Sequence, residues 1–298
     1  MSSIREFRIK SEGKGVYGKK LVDCIIRYCL DTSLNRVNIT WVDTPPYHLI
    51  VCSHFDHDEP VRNNINIPVI YFNGESYPLK NYNQSRAILH MSTVFSESSR
   101  PGFVWIPYVA MTPWDKQILN SEYRYRESLQ QRPYYLAYCS SNSLPHRENI
   151  YRILQKINPR SSHSYGRCQN NRPRIKGSWT KMIKVYKTYR FVLAVENSQS
   201  DGYITEKILT AFAAGAIPIY WGDRSIEHLF NVRAFVNLHR FKNIMEAAGY
   251  IASLEANPIQ QQKIRQEPIF TNQTPPDYML LDSDFYRRIA DKIKHRLC

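Results

Sequence analysis

Between residues 19 and 30 the chain places Leu21, Val22, Ile25, Ile26 and Cys29 at helical spacing, which predicts an amphipathic helix ending before Asn35. Three short runs follow, VNITWV, HLIVCS and IPVIYFN, rich in β-branched and aromatic residues and bounded by Pro, Asn and Asp. They predict strands of one sheet. RAILHM and FVWIPYVAM extend the series, the second interrupted at Pro107. From Thr112 to Pro133 the pattern turns polar, charged and Gln/Arg-rich, as expected of a connection between domains. A regular alternation then sets in. Strand YYLAYCSSN precedes helix LPHRENIYRILQKINP, whose Ile150, Ile153, Leu154 and Ile157 share one stripe, and HSYGRCQNNRP reads as strand and loop. Strand YRFVLAVENS leads to helix YITEKILTAFAAG, ending at Gly215, and then to strand AIPIYWGD. IEHLF (short helix), AFVNLHRF (strand) and NIMEAAGYIASLEA (helix) complete it. Such alternation predicts parallel βαβ units.

The tail carries Phe285, Ile289, Ile293 and Leu297 four residues apart, with Arg287, Arg288, Lys292, Lys294 and Arg296 around the rest. Two readings fit: a helix whose stripe joins the core, or one that lies on an anionic membrane. Composition narrows the class. With 298 residues, 43% hydrophobic and 22% charged, the chain has the make-up of a packed protein of about two domains, not a disordered one. Its apolar runs are shorter than the roughly 18 residues a membrane span needs, and the polar, basic start lacks a signal-peptide core; a cytoplasmic location is the expectation. Cys24, Cys29, Cys52, Cys139, Cys168 and Cys298 form no CxxC pair and read as free thiols in a reducing compartment. A net charge of +14 draws anions: nucleic acid, an anionic membrane or a phosphorylated small molecule.

Candidate chemistry concentrates in FVLAVENSQSDGYITEKILTAFAAGAIPIYWGD. A strand ends at Val195, a polar loop holds Glu196, Asn197, Ser198 and Asp201, and a helix opens near Thr205 with Lys207 in its first turn. Ligands of open α/β sheets sit beyond strand carboxyl ends, where a helix N-terminus favours an anion. A first-turn lysine opposes the helix dipole, so Lys207 either meets a bound phosphate or extends into solvent.

The string ENSQSDGYITEK, with the small-residue helix, Gly215 and IPIYWG after it, resembles the donor-binding signature of the α1,3/4-fucosyltransferases; Val195 stands where that family usually has an aromatic. YCSSN at 138–142, SYGR at 164–167 and FVNLHRF at 235–241 extend the resemblance over 134–256, and it is faint before residue 130. The resemblance implies the α/β GT-B architecture: two Rossmann-like domains facing a cleft, an acceptor-side domain over 1–130, a GDP-fucose domain over 131–280 and a basic amphipathic helix over 281–298. It implies inverting transfer of L-fucose from GDP-β-L-fucose to a hydroxyl of an acceptor glycan, α1,3 or α1,4. NGESYP after the third strand run is similar to the family's Gly-Glu segment and makes Glu75 the candidate general base, against the plain reading of a solvated loop glutamate. Arg167 and Lys207 would hold the diphosphate, Glu206 the ribose, and Asn197, Tyr203, Ser141 and Asn142 would line the donor site. Fixed cations then stand in for a metal, so no cofactor is expected.

Other readings remain. His54, Asp56, His57, Asp58 and Glu59 have metal-ligand types, as in a metal-dependent glycosyltransferase with another nucleotide sugar, and Asp282-Ser283-Asp284 repeats the Asp-x-Asp spacing, although one of these aspartates more simply caps a helix. The basic charge and 21 tyrosines suit nucleic acid, but no RNP1, KH, zinc-finger or helix-turn-helix signature is present, and no nucleic-acid partner is expected. A sugar-binding domain without chemistry is the third, weighed against by Glu75, Arg167, Glu206 and Lys207 together.

Overall fold

The computed structural model describes residues 5–11, 19–30, 37–53, 64, 66–80, 82–111, 114, 118–128, 131–175 and 180–297. The chain divides into two compact units: Met1–Pro113 with Ser200–Tyr203 and Pro276–Cys298, and Trp114–Gln199 with Ile204–Pro275.

The first unit is built on six parallel strands in the order β2-β1-β3-β4-β5-β6. They are β1 (Arg5–Ser11), β2 (Val37–Val42), β3 (Leu49–Ser53), β4 (Val69–Asn73), β5 (Ala87–Ser92) and β6 (Phe103–Trp105). β4 and β5 are buried throughout, as strands covered on both faces must be. Helix α1 (Lys19–Cys29) buries the five predicted positions, Leu21, Val22, Ile25, Ile26 and Cys29. β1 is absent from the expectation above, yet it pairs with both β2 and β3. Its REFRIKS stretch alternates, with Phe7 and Ile9 buried; the surrounding charge hides a period of two. FVWIPYVAM turns at Ile106 and Pro107 from β6 into one helical turn, α2 (Tyr108–Met111).

The second unit has five parallel strands in the order β11-β10-β9-β7-β8: β7 (Tyr134–Tyr138), β8 (Ser162–Ser164), β9 (Tyr189–Val195), β10 (Ile217–Trp221) and β11 (Val236–Asn237). The predicted helices appear as α4 (Pro145–Leu154), α6 (Glu206–Ala213) and α7 (Ile244–Glu255), joined by α5 (Thr180–Tyr186) and α8 (Pro258–Gln266). IEHLF forms a 3₁₀ turn, and AFVNLHRF keeps only two residues in a strand. The polar stretch expected to connect domains contains helix α3 (Ser121–Ser128), and contacts group residues 114–130 with the second unit instead of dividing the chain at 130. Buried Arg132 explains the tie: its guanidinium donates to the carbonyls of Glu127, Tyr186, Lys187, Tyr189 and Ala214. Burial, above all, drops its pKa to about 10.

The C-terminal tail belongs to the first unit. Helix α9 (Asp284–Ile293) buries Tyr286, Ile289, Ala290 and Ile293 and packs on α1, where Cys29 Sγ lies 3.5 Å from Ala290 O and Cys24 Sγ 2.9 Å from Leu281 O. The stripe is rotated from the one expected, with Phe285 and Leu297 only half-buried, and its apolar side is used inside the protein. Ser283 is the N-cap residue, a correction to the reading of Asp282 or Asp284 as the cap. Cys24, Cys29, Cys52, Cys139 and Cys168 form no disulfide. Among the described residues no helix is long and apolar enough to cross a membrane.

Candidate functional site

The second sheet reverses its direction of growth between β7 and β9, because the chain runs outward from β7 to β8 and then returns to the other side of β7. Binding crevices of such sheets form at this switch point, beyond the strand carboxyl ends. A cavity of about 300 Å³ lies there. Cys139, Ile175, Met182, Tyr186, Val192 and Leu193 form the apolar part of its lining, and Ser140, Ser141, Asn142, Arg147, Asn197, Glu206, Lys207 and Thr210 the polar part. Five expected donor residues thus come together: Ser141, Asn142, Asn197, Glu206 and Lys207. Two do not. Arg167 is exposed and is not among the residues lining the cavity, although its backbone N–H donates to Ser140 O at 2.7 Å. Tyr203 is 4% exposed and groups with the first unit.

Local sequence explains the shape of the loop after β7. A Cβ on Gly166 would stand 2.0 Å from Ser140 O and 2.4 Å from Ser140 N, so only glycine lets the 164–167 turn lie against it. The first turn of α6 is organised by Glu196, which is fully buried. Its carboxylate accepts from Thr205 N at 2.8 Å, from the Thr205 hydroxyl, and from Lys207 Nζ at 3.0 Å. Burial works against the Lys207 charge, but Glu196 and Glu206 outweigh it and hold the amine above the ordinary lysine value. Lys207 is therefore neither free in solvent nor an isolated cation.

Arg147 escaped the sequence reading. It sits in the first turn of α4, 3% exposed, and donates from Nη1 to Asn197 Oδ1 at 2.7 Å. Its Nε has no hydrogen-bond partner among the described residues. A buried guanidinium N–H without an acceptor is costly, and Arg147 is also one of the residues lining the cavity. LPHREN looks like an ordinary surface helix start, so no local signal could have found it.

Glu75 stands in the first unit, partly exposed, just past β4. Its N–H donates to Asn73 Oδ1 at 2.9 Å and its carbonyl accepts from Thr93 Oγ1 at 2.8 Å. Beside it lies a second carboxylate that the sequence did not reveal. Glu97, side chain fully buried, accepts from Asn73 Nδ2 at 2.6 Å, Ser92 Oγ at 2.5 Å and Leu79 N at 2.9 Å, and pairs with Arg100 at 2.5 Å. His90 Nε2 is 3.2 Å away. Burial pushes its pKa up, yet the hydrogen bonds from His90, Ser92, Asn73 and Leu79 overrule it and hold it down at about 2. The His54–Glu59 cluster lies outside the described residues, among which no group of three metal-ligating side chains occurs.

The sequence of residues 129–264, which includes every side chain lining the cavity, matches the family model described as glycosyltransferase family 10 (fucosyltransferase) C-term. Over that segment, a little under half of its length, the chain is similar to glycosyltransferase family 10. The chain is 49% identical over 69 residues to the α-(1,3)-fucosyltransferase FucT of Helicobacter pylori, covering 23% of this chain and 14% of that protein. The α-(1,4)-fucosyltransferase of Arabidopsis thaliana is 29% identical over 139 residues, 41% of this chain and 34% of the relative. The alignments thus span about a third or less of these curated relatives. A crystal structure of α1,3-fucosyltransferase superposes with a TM-score of 0.72 over 99% of this chain and 91% of that one, at 20% identity, and its counterpart with GDP-fucose with a TM-score of 0.68. That likeness concerns the fold: two parallel-sheet α/β units of the GT-B class.

Proposed function

We propose that this chain is an inverting fucosyltransferase that moves L-fucose from GDP-β-L-fucose to a hydroxyl of an acceptor glycan. The observation that carries the reading is the switch-point cavity whose polar side brings Arg147, Lys207 and Glu206 together. A nucleoside diphosphate suits it: its phosphate oxygens would meet the Arg147 and Lys207 cations, and the first turn of α6 adds its dipole. Glu206 would accept from ribose hydroxyls, and Ser141, Asn142 and Asn197 would bond the nucleotide or sugar. The exposed Arg167 would add a third cation to the diphosphate, and Tyr203 is the weaker donor candidate because it is packed elsewhere. GDP-fucose as the donor follows from the fucosyltransferase relatives and from the GDP-fucose complex of the structural neighbour.

In this reaction the acceptor oxygen attacks the anomeric carbon while its proton passes to the Glu75 carboxylate. The bond from that carbon to the β-phosphate oxygen breaks, and GDP leaves with the electron pair. One base suffices, because the leaving group is already a diphosphate anion. Arg147, Lys207 and the helix N-terminus stabilise its charge, a duty that a metal ion has in other transferases. The acceptor is proposed to contain N-acetylglucosamine or glucose, with the new linkage α1,3 or α1,4.

The test is a donor screen that reads GDP or UDP release with GDP-fucose, GDP-mannose and UDP-sugars, repeated in excess EDTA. Turnover is expected with GDP-fucose alone, undiminished by EDTA and cut roughly a hundredfold or more in Glu75→Ala, while Arg147→Met weakens GDP binding roughly tenfold or more, the loss of one charge-assisted bond. Turnover with another donor, or inhibition by EDTA, refutes the assignment.

A further inference from the structure

We infer that Glu97 is a positioning residue for Glu75, acting through the side-chain amide of Asn73; the inference rests on Glu75 being the base. A general base must be held to within a fraction of an ångström of the proton it takes, and Glu75 lies on a partly exposed segment between β4 and β5. The amide of Asn73, fully buried, organises that segment: Oδ1 accepts from Glu75 N, while Nδ2 donates to Tyr77 O at 2.9 Å and to Glu97 Oε2 at 2.6 Å. Turning the amide over would aim Oδ1 at Glu97 and withdraw the acceptor from Glu75.

An ionised carboxylate accepts only, so Glu97 dictates which way the amide faces. Its other oxygen takes Leu79 N at 2.9 Å, so one buried group ties down both ends of the 73–79 segment. In Glu97→Gln the new NH₂ must face either Asn73 Nδ2 or Leu79 N, donor against donor, and one tie fails in either orientation. Asn73→Ala cuts the link to Glu75 and leaves Glu97 with Ser92, Leu79 and Arg100, so it tests the same idea without an unsatisfied buried charge.

The experiment is a mutant cycle on the full chain. Transfer from GDP-fucose is measured for Glu97→Gln, Asn73→Ala, Glu75→Ala and the two doubles with Glu75→Ala, and GDP affinity is titrated for each. If Glu97 acts through Glu75, each single variant loses roughly tenfold or more in kcat, with donor KM and GDP Kd within about twofold. In the Glu75→Ala background the same substitutions then cost almost nothing further. Losses that multiply in the doubles, losses confined to KM, or unchanged kcat in both singles overturn the inference while leaving the base assignment standing. Full transfer activity in Glu75→Ala refutes the base, and the positioning role with it.

Discussion

At the scale of residues, buried charges are held by partners that the local sequence pattern does not show. Glu97 is the clearest. Its carboxyl is held at about 2 against an ordinary value of 4.5, so its contribution to stability is complete above pH 4.5 and is lost as the pH falls from there toward 2. The difference amounts to ~3 kcal/mol. Denaturant unfolding at pH 6 and pH 3 should show the native protein losing about 2 kcal/mol more than Glu97→Gln, which has no proton to gain; parallel losses would mean that the carboxylate is not ionised when folded. Lys207 shows the companion effect. Its place in the first turn of a helix was legible locally, whereas its pairing with buried Glu196 was not, because a string of letters does not tell which loop carboxylate turns inward.

At the scale of elements, local pattern identified most strands and helices, and its failures have specific causes. β1 was missed because Glu6, Arg8 and Lys10 mask the alternation of Phe7 and Ile9, and a strand between two others needs only those inward residues to be apolar. The stretch holding α3 looked like a linker because its ties are made by Arg132 to main-chain carbonyls, which any sequence supplies. Close approach of backbones is equally silent. Gly166 touches Ser140 so tightly that any side chain forces the 139–142 loop outward. Gly166→Ala is therefore expected to leave the sheet and its circular dichroism intact while weakening GDP binding roughly tenfold or more, about 1.4 kcal/mol. Titration calorimetry of the variant checks this, and unaltered affinity would show that the loop does not shape the site.

At the scale of the whole molecule, the two ends of the chain meet in one unit. Residues 276–298 group with 1–113, and α9 covers the side of α1 that carries Cys24 and Cys29. Removing residues 284–298 takes away the burial of Tyr286, Ile289 and Ile293, at roughly 1.5–3 kcal/mol each, a sum comparable with the stability of a whole domain. The truncated chain should lose the thermal transition of its first unit. A tail serving only as a membrane anchor would leave that transition where it was.

Local pattern by itself determined the succession of parallel βαβ units, the signature from Glu196 to Lys207 and the glycine-glutamate loop at Glu75, since each depends on neighbours within a few positions. The tertiary structure alone decided that Arg147 faces Asn197 fifty residues on, that α9 closes the N-terminal unit, and that Glu97 governs the amide of Asn73. Burial and hydrogen-bond partnership are properties of the folded contacts, and periodicity along the chain carries no record of them.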